Sequence, residues 1–204
     1  MRKNLSADNS LFTIGLNIRQ ARRKRELTLS DIARHTGLSK GLLSKIENFR
    51  TLPSLPVLAA IARSLNLKLE NLVQGIGVEA ITSGKFVGVA DRLPFKREKS
   101  RGFHYAALIA CALGSIGFES VVLTLEPGAK RKPVSTDGHE FVFVLKGEIM
   151  FRVGSEAIKL SAGDAFYFDG HLPHTPRNPT TSTAELLVIY LLKQHQAKGK
   201  HEGP

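Results

Sequence analysis

The chain has 204 residues, with 29 Lys+Arg against 18 Asp+Glu and a formal net charge of +11; this allows one or two domains with real cores and favours a polyanionic partner. A single cysteine, Cys111, excludes an intrachain disulfide framework and points to a reducing, cytoplasmic setting. The longest apolar run, Ala106 to Leu113, is too short to cross a bilayer, and MRKNLSADNS has no apolar stretch behind its basic residues, so neither a membrane span nor a signal peptide is expected.

The charge is unevenly placed. Residues 1–74 hold 13 Lys+Arg against five Asp+Glu, while the remainder holds 16 against 13. Over residues 11–74 the apolar positions recur at helical spacing. Leu11, Ile14, Ile18 and Ala21 form a first stripe, closed by the basic run Arg22 to Arg25. Thr28 with Asp31 reads as a capping box that starts a second helix, and Gly37 supplies the left-handed residue that ends it. Ser39 is placed to cap a third, whose inward face is Leu43 and Ile46. Beyond Pro53 and Ser54, a fourth stripe runs through Leu55, Leu58, Ile61, Ala62 and Leu65. A short fifth helix holds Leu69, Leu72 and Val73.

Residues 75–85 read as a glycine-rich linker leading to a first strand near Phe86 to Ala90. Over 86–193, short β-branched and aromatic runs alternate with Gly, Pro and Asp, the texture of an all-β sandwich or barrel. The segment YAALIACALGS fits helix or strand, and Cys111 within it is expected to be buried. Residues 194–204 are polar and read as a disordered tail.

Two short helices joined through a glycine turn, inside a basic domain, make a helix-turn-helix arrangement. One helix crosses the phosphates while the N-terminal side chains of the next enter the major groove. Lys40, Gly41, Ser44 and Lys45 fall on the outward side of that second helix. The stretch from IRQARRKREL through ARSLN resembles the XRE-type helix-turn-helix of bacterial and phage repressors. The resemblance implies a lambda repressor-like five-helix fold and a double-stranded DNA operator as partner. It also implies that Ser39, Lys40, Gly41, Ser44 and Lys45 face DNA, with Asn48 near a phosphate, and that Arg22 and Glu47 form a structural ion pair. Gly41 offers no side chain to a base, which shifts readout toward Lys40, Lys45 and DNA shape.

The C-terminal half resembles the cupin family, small double-stranded β-helix barrels. Pro127–Gly128, Glu140 and Gly147 match its first motif; Gly163–Asp164, Phe166–Tyr167–Phe168, Pro173–His174 and Asn178 match its second. Metal-binding cupins use three histidines and a carboxylate. Glu140 and His174 are two of these, but Val134 and Thr136 stand where a His-x-His pair is expected. His139 neighbours Glu140 along a strand and so should face the opposite way. No metal and no cofactor are therefore expected. Glu140, His174, Phe166 and Phe168 are candidates for an effector pocket in the barrel mouth.

The two resemblances together imply an α+β multidomain regulator, expected to act as a homodimer whose two heads meet two half-sites about 34 Å apart. In this reading the head represses transcription and the barrel senses a small-molecule effector. The alternative is a metal-dependent cupin enzyme of the dioxygenase, isomerase or epoxidase type with a helix-turn-helix-like head.

Overall fold

The computed structural model describes residues 10–74, 84–95, 97, 100–113 and 115–195. The linker expected at 75–85 falls mostly outside these residues, as do positions 196–204 of the expected tail. Five helices form the N-terminal unit: α1 Ser10–Lys24, α2 Leu29–Thr36, α3 Lys40–Glu47, α4 Leu55–Ser64 and α5 Leu69–Val73. Their inward stripes meet in one core of Ile14, Ile18, Ile32, Leu43, Ile46, Leu58, Ile61, Leu65 and Leu72.

Local chemistry sets the helix ends. The Thr28 hydroxyl accepts from the Asp31 amide while the Asp31 carboxylate accepts from the Thr28 amide. Gly37 closes α2 at φ 72°, and the Ser39 hydroxyl accepts from the Leu42 amide to open α3.

Between α3 and α4 lies a two-residue strand, β1 Leu52–Pro53. The C-terminal half is β2 Leu93–Phe95, β3 Phe103–Leu113, β4 Ile116–Leu125, β5 Gly138–Lys146, β6 Glu148–Val153, β7 Glu156–Ser161, β8 Ala165–Asp169, β9 His174–Arg177 and β10 Ala184–His195. Among the described residues the larger sheet runs β2-β3-β4-β10-β5-β8 and the smaller β7-β6-β9. The apolar inner faces of the two sheets form the second core.

Three sequence expectations change. No strand covers Phe86 to Ala90; Phe86 and Val89 are exposed, and Val89–Asp91 forms one 3₁₀ turn before β2. The ambiguous YAALIACALGS segment lies mainly in β3, where pairing with β4 decides what periodicity did not. A register shift between Ala107 and Ala110 leaves Cys111 half-buried on the outer face rather than in the core. The expected tail also starts too early, since residues 194 and 195 extend β10 and pair with β1.

That pairing joins the halves. Leu52 and Pro53 add a parallel strand to the barrel sheet beside Gln194 and His195. Phe49, just after α3, is buried in the barrel core, and Leu16 of α1 packs against the same cluster. The Phe49 backbone is left-handed, φ 56°, a conformation that a bulky residue adopts only where packing holds it.

Candidate nucleic-acid interface and barrel interior

The groove-reading helix is fixed at both ends. Its start carries the Ser39 cap, and its end is held to α1 by a bidentate bridge: Arg22 Nε to Glu47 Oε1 at 2.6 Å and Arg22 Nη2 to Glu47 Oε2 at 2.7 Å. The bond to Glu47 raises the Arg22 guanidinium above its ordinary pKa. Bidentate pairing fixes direction as well as distance, so α3 is oriented relative to α1.

The six candidate DNA-facing residues divide. Ser39, Lys40 and Gly41 are exposed at the start of α3, whereas Ser44, Lys45 and Asn48 are half-buried. Lys45 Nζ lies 2.5 Å from Asp137 Oδ1, on the loop entering β5. The Asn48 amide donates to the Ser44 carbonyl at 2.7 Å and accepts from Arg19. Only the first turn of α3 thus presents itself fully to solvent.

Inside the barrel, strand register assembles a polar row. Tyr190 of β10 is flanked by Glu119 of β4 and Glu140 of β5, and Glu140 in turn by Phe168 of β8. All four are buried. Arg97 is fully buried, with Nη2 2.5 Å from Glu119 Oε1 and its guanidinium carbon 4.0 Å above the Tyr190 ring. Burial pushes the Glu119 carboxyl up, with Arg97 pulling against it, and burial also raises the Tyr190 hydroxyl.

Arg50 comes from the helical unit. It is buried in the barrel mouth, its Nη1 donating to Thr136 Oγ1 at 3.3 Å, and its carbonyl accepts from the Asp137 amide at 2.7 Å. Thr136 is hydrogen-bonded to Glu140. Burial alone would raise the Glu140 carboxyl, but His174, Arg50 and Thr136 outweigh it and hold the group down at about 2. His174 Nδ1 lies 2.9 Å from the Leu172 carbonyl, which as a pure acceptor requires a proton on that nitrogen. Nε2 therefore faces Glu140 Oε1 at 3.1 Å, the buried contact through which His174 draws the Glu140 carboxyl down.

The helix-turn-helix domain family matches residues 15–78, and the cupin domain family matches residues 121–190. The ImmF control region 10 kDa protein of Bacillus phage phi105 is 33% identical over 73 residues, covering 36% of this chain and 80% of that protein. The chain belongs to the XRE-type helix-turn-helix regulators with a C-terminal cupin domain. Among solved structures, an HTH_3 family transcriptional regulator from Vibrio cholerae is 20% identical with a TM-score of 0.48, over 91% of this chain and 98% of that one. Hydroxypropylphosphonic acid epoxidase from S. wedmorenis is 18% identical with a TM-score of 0.48, over 90% and 100%.

The regulator's barrel does not offer a cupin metal set. Glu140 and His174 converge, but Val134 brings no donor atom, and the neutral Thr136 hydroxyl already accepts from Arg50. His139 stacks on Tyr167 with ring centroids 5.5 Å apart, on the strand face opposite Glu140. Among the described residues no three His, Cys, Asp or Glu side chains are grouped to hold a metal ion.

Of the regulator's expected pocket residues, Phe168 is buried with its ring 4.9 Å from His174, and half-buried Phe166 stacks on Phe168 at 5.3 Å. Arg50, Arg97 and Glu119 were not singled out by the sequence patterns. A signal existed for Glu119: in FESVVLTL it shares the strand phase of buried Val121, Leu123 and Leu125. For Arg50 and Arg97 no local periodicity applies, because each meets its partner across the fold.

Proposed function

We propose that the protein is a cytoplasmic, homodimeric transcriptional repressor whose barrel responds to a small molecule. One observation carries this reading: the reading helix ends inside the barrel mouth. Lys45 is paired with Asp137, Phe49 is buried in the barrel core and Arg50 is bonded to Thr136. A ligand that rearranges Glu140, His174 or Thr136 therefore acts on residues in contact with the end of α3. It shifts DNA affinity only as far as it binds one arrangement of the head better than another. Repression needs no contact beyond occupancy of the operator, and two heads in a dimer match two half-sites about 34 Å apart. The barrel acts here as a receptor rather than a catalyst, because its convergent donors fall short of a metal centre.

Selection of binding sites from a randomised DNA pool by the full chain tests the first half. A near-palindrome with half-sites one helical turn apart is the expected product, and a pool left without enrichment overturns the reading. The second half is tested with Glu140→Ala combined with His174→Ala. Operator affinity in cell extract should differ between this variant and the wild type, and identical titrations remove the support for sensing.

A further inference from the structure

The two sheets of the barrel differ on their outer faces. The smaller one turns Glu148, Arg152 and Lys159 to solvent, the polar exterior usual for a sheet whose other face is in a core. The larger one does the reverse. Strand register sets Leu187, Ile189 and Leu191 of β10 beside Phe118 of β4 and Phe141 and Phe143 of β5. Side chains paired in this way share a face. The alternate residues of β10 are buried in the core, so this apolar row points outward. Among the described residues none of the six belongs to either core, and each keeps partial contact with solvent.

The face has the size of one side of a stable interface. Spanning β4, β10, β5 and β8 and the nine residues from Glu185 to Lys193, it measures about 19 by 30 Å, on the order of 550 Å² in projection. Side-chain relief brings this near the 800 Å² or so that each partner contributes to a standard interface. An apolar centre with charges at its rim is also the usual anatomy of such a surface.

The charges at the rim indicate which partner fits. Along the outer row of β10, Glu185 and Lys193 stand four residues to either side of Ile189, with Leu187 and Leu191 between. This row is its own complement. A two-fold axis lying in the interface over Ile189, across the strand, brings Glu185 of one copy to Lys193 of the other, and Leu187 to Leu191. The same axis sets the two head-to-barrel joints apart. Each joint lies where Leu52 and Pro53 pair with Gln194 and His195, five to six residues beyond Ile189. Two of them fall about 37 Å apart along the strands, against about 34 Å for one turn of DNA.

We infer that the outer face of the larger sheet, centred on Ile189, is where a second copy of this chain docks, with β10 antiparallel to β10 and two Glu185–Lys193 pairs closing the ends. The face deepens the homodimer of the proposed reading and rests on that reading only for its consequence at DNA.

Sedimentation equilibrium of the full chain tests the assignment. The wild type should sediment at twice the chain mass at micromolar concentration, and Ile189→Glu as a folded monomer. The rim charges supply a second measurement at positions in contact with solvent. Lys193→Glu should raise the dimer Kd about tenfold, and adding Glu185→Lys should restore it. The rescue is specific to two copies, because the two positions lie about 27 Å apart on one strand and do not reach each other within a chain. A dimer that survives a folded Ile189→Glu, a Lys193→Glu dimer as tight as the wild type, or a defect that Glu185→Lys does not rescue overturns this face and leaves the homodimer reading standing. If Ile189→Glu does not fold, the charge exchange alone decides. A wild type that stays monomeric overturns both and assigns the face to a different partner. Monomeric Ile189→Glu should also bind a two-half-site operator at least about tenfold more weakly than the wild type. Equal binding would sink the dimer as the DNA-binding unit but not the interface.

Discussion

Lys45 Nζ, on the helix that the sequence assigns to the major groove, lies 2.5 Å from Asp137 Oδ1 at the mouth of the barrel. A lysine held by a carboxylate is not presented to a phosphate or a base edge. Both side chains keep partial contact with solvent, which limits such a pair to about 0.2–1 kcal/mol. Asp137→Asn removes the charge and keeps the backbone amide that bonds Arg50. Operator affinity should rise by about two- to fivefold, and Lys45→Ala in the same background should abolish the gain. Unchanged affinity of Asp137→Asn in a gel-shift titration would show that the pair does not restrain the helix.

Lys40 is exposed in the first turn of α3 and is free of the constraint on Lys45. Lys40→Ala should weaken operator binding and reduce the slope of log K against log salt by about one if it meets a phosphate. An unchanged slope with altered sequence preference would move Lys40 from phosphate to base contact. A wild-type affinity insensitive to salt would argue against DNA as the partner.

What was legible in the sequence is what obeys local rules. The Thr28–Asp31 box, the Gly37 turn and the Ser39 cap are set by spacings of two to three residues, and the structure forms each of them. The same logic separated His139 from Glu140 by strand alternation. The joint between the halves obeys no local rule. Phe49 and Arg50 belong to none of the stripes or motifs, yet one enters the barrel core and the other meets Thr136, 86 positions away. Arg97 likewise finds Glu119 across 22 positions. Buried charge pairs of this kind are decided by strand register, which a single sequence does not display.

Gly15 gives a prediction in which packing and propensity conflict. It lies inside α1, where replacing glycine by alanine ordinarily stabilises a helix by about 1 kcal/mol. Here an added Cβ would sit 2.6 Å from the Ile46 carbonyl oxygen and 2.6 Å from the Phe49 ring. The carbonyl belongs to α3 and cannot swing away without moving the helix. Gly15→Ala should therefore destabilise by about 1–3 kcal/mol and loosen the seat of Phe49. Gly41→Ala is the contrast, since its nearest neighbour would be Ser39 Oγ at 3.9 Å. A lowered Tm for Gly15→Ala beside an unchanged or raised one for Gly41→Ala is the expected result, and equal shifts would remove the steric argument.

Glu140 sets an acid limit on the joint. Its carboxyl is held at about 2 because His174, Arg50 and Thr136 outweigh burial. An unfolded glutamate titrates near 4.3. A depressed folded-state value contributes stability that is fully present above the unfolded value and is lost as pH falls through the folded one. Glu119 works in the opposite direction, since burial raises its carboxyl; its contribution is present at low pH and fades as pH rises through its folded value. A single stability curve therefore mixes the two, and the difference between wild type and Glu140→Gln isolates the first. That difference should be on the order of 3 kcal/mol above about pH 5 and should shrink as pH is lowered toward 2. Denaturant unfolding of both proteins across this range checks it. Parallel curves would mean that Glu140 is not held ionised by His174, Arg50 and Thr136, and the joint would then draw its strength from Phe49 and the β1–β10 pairing instead.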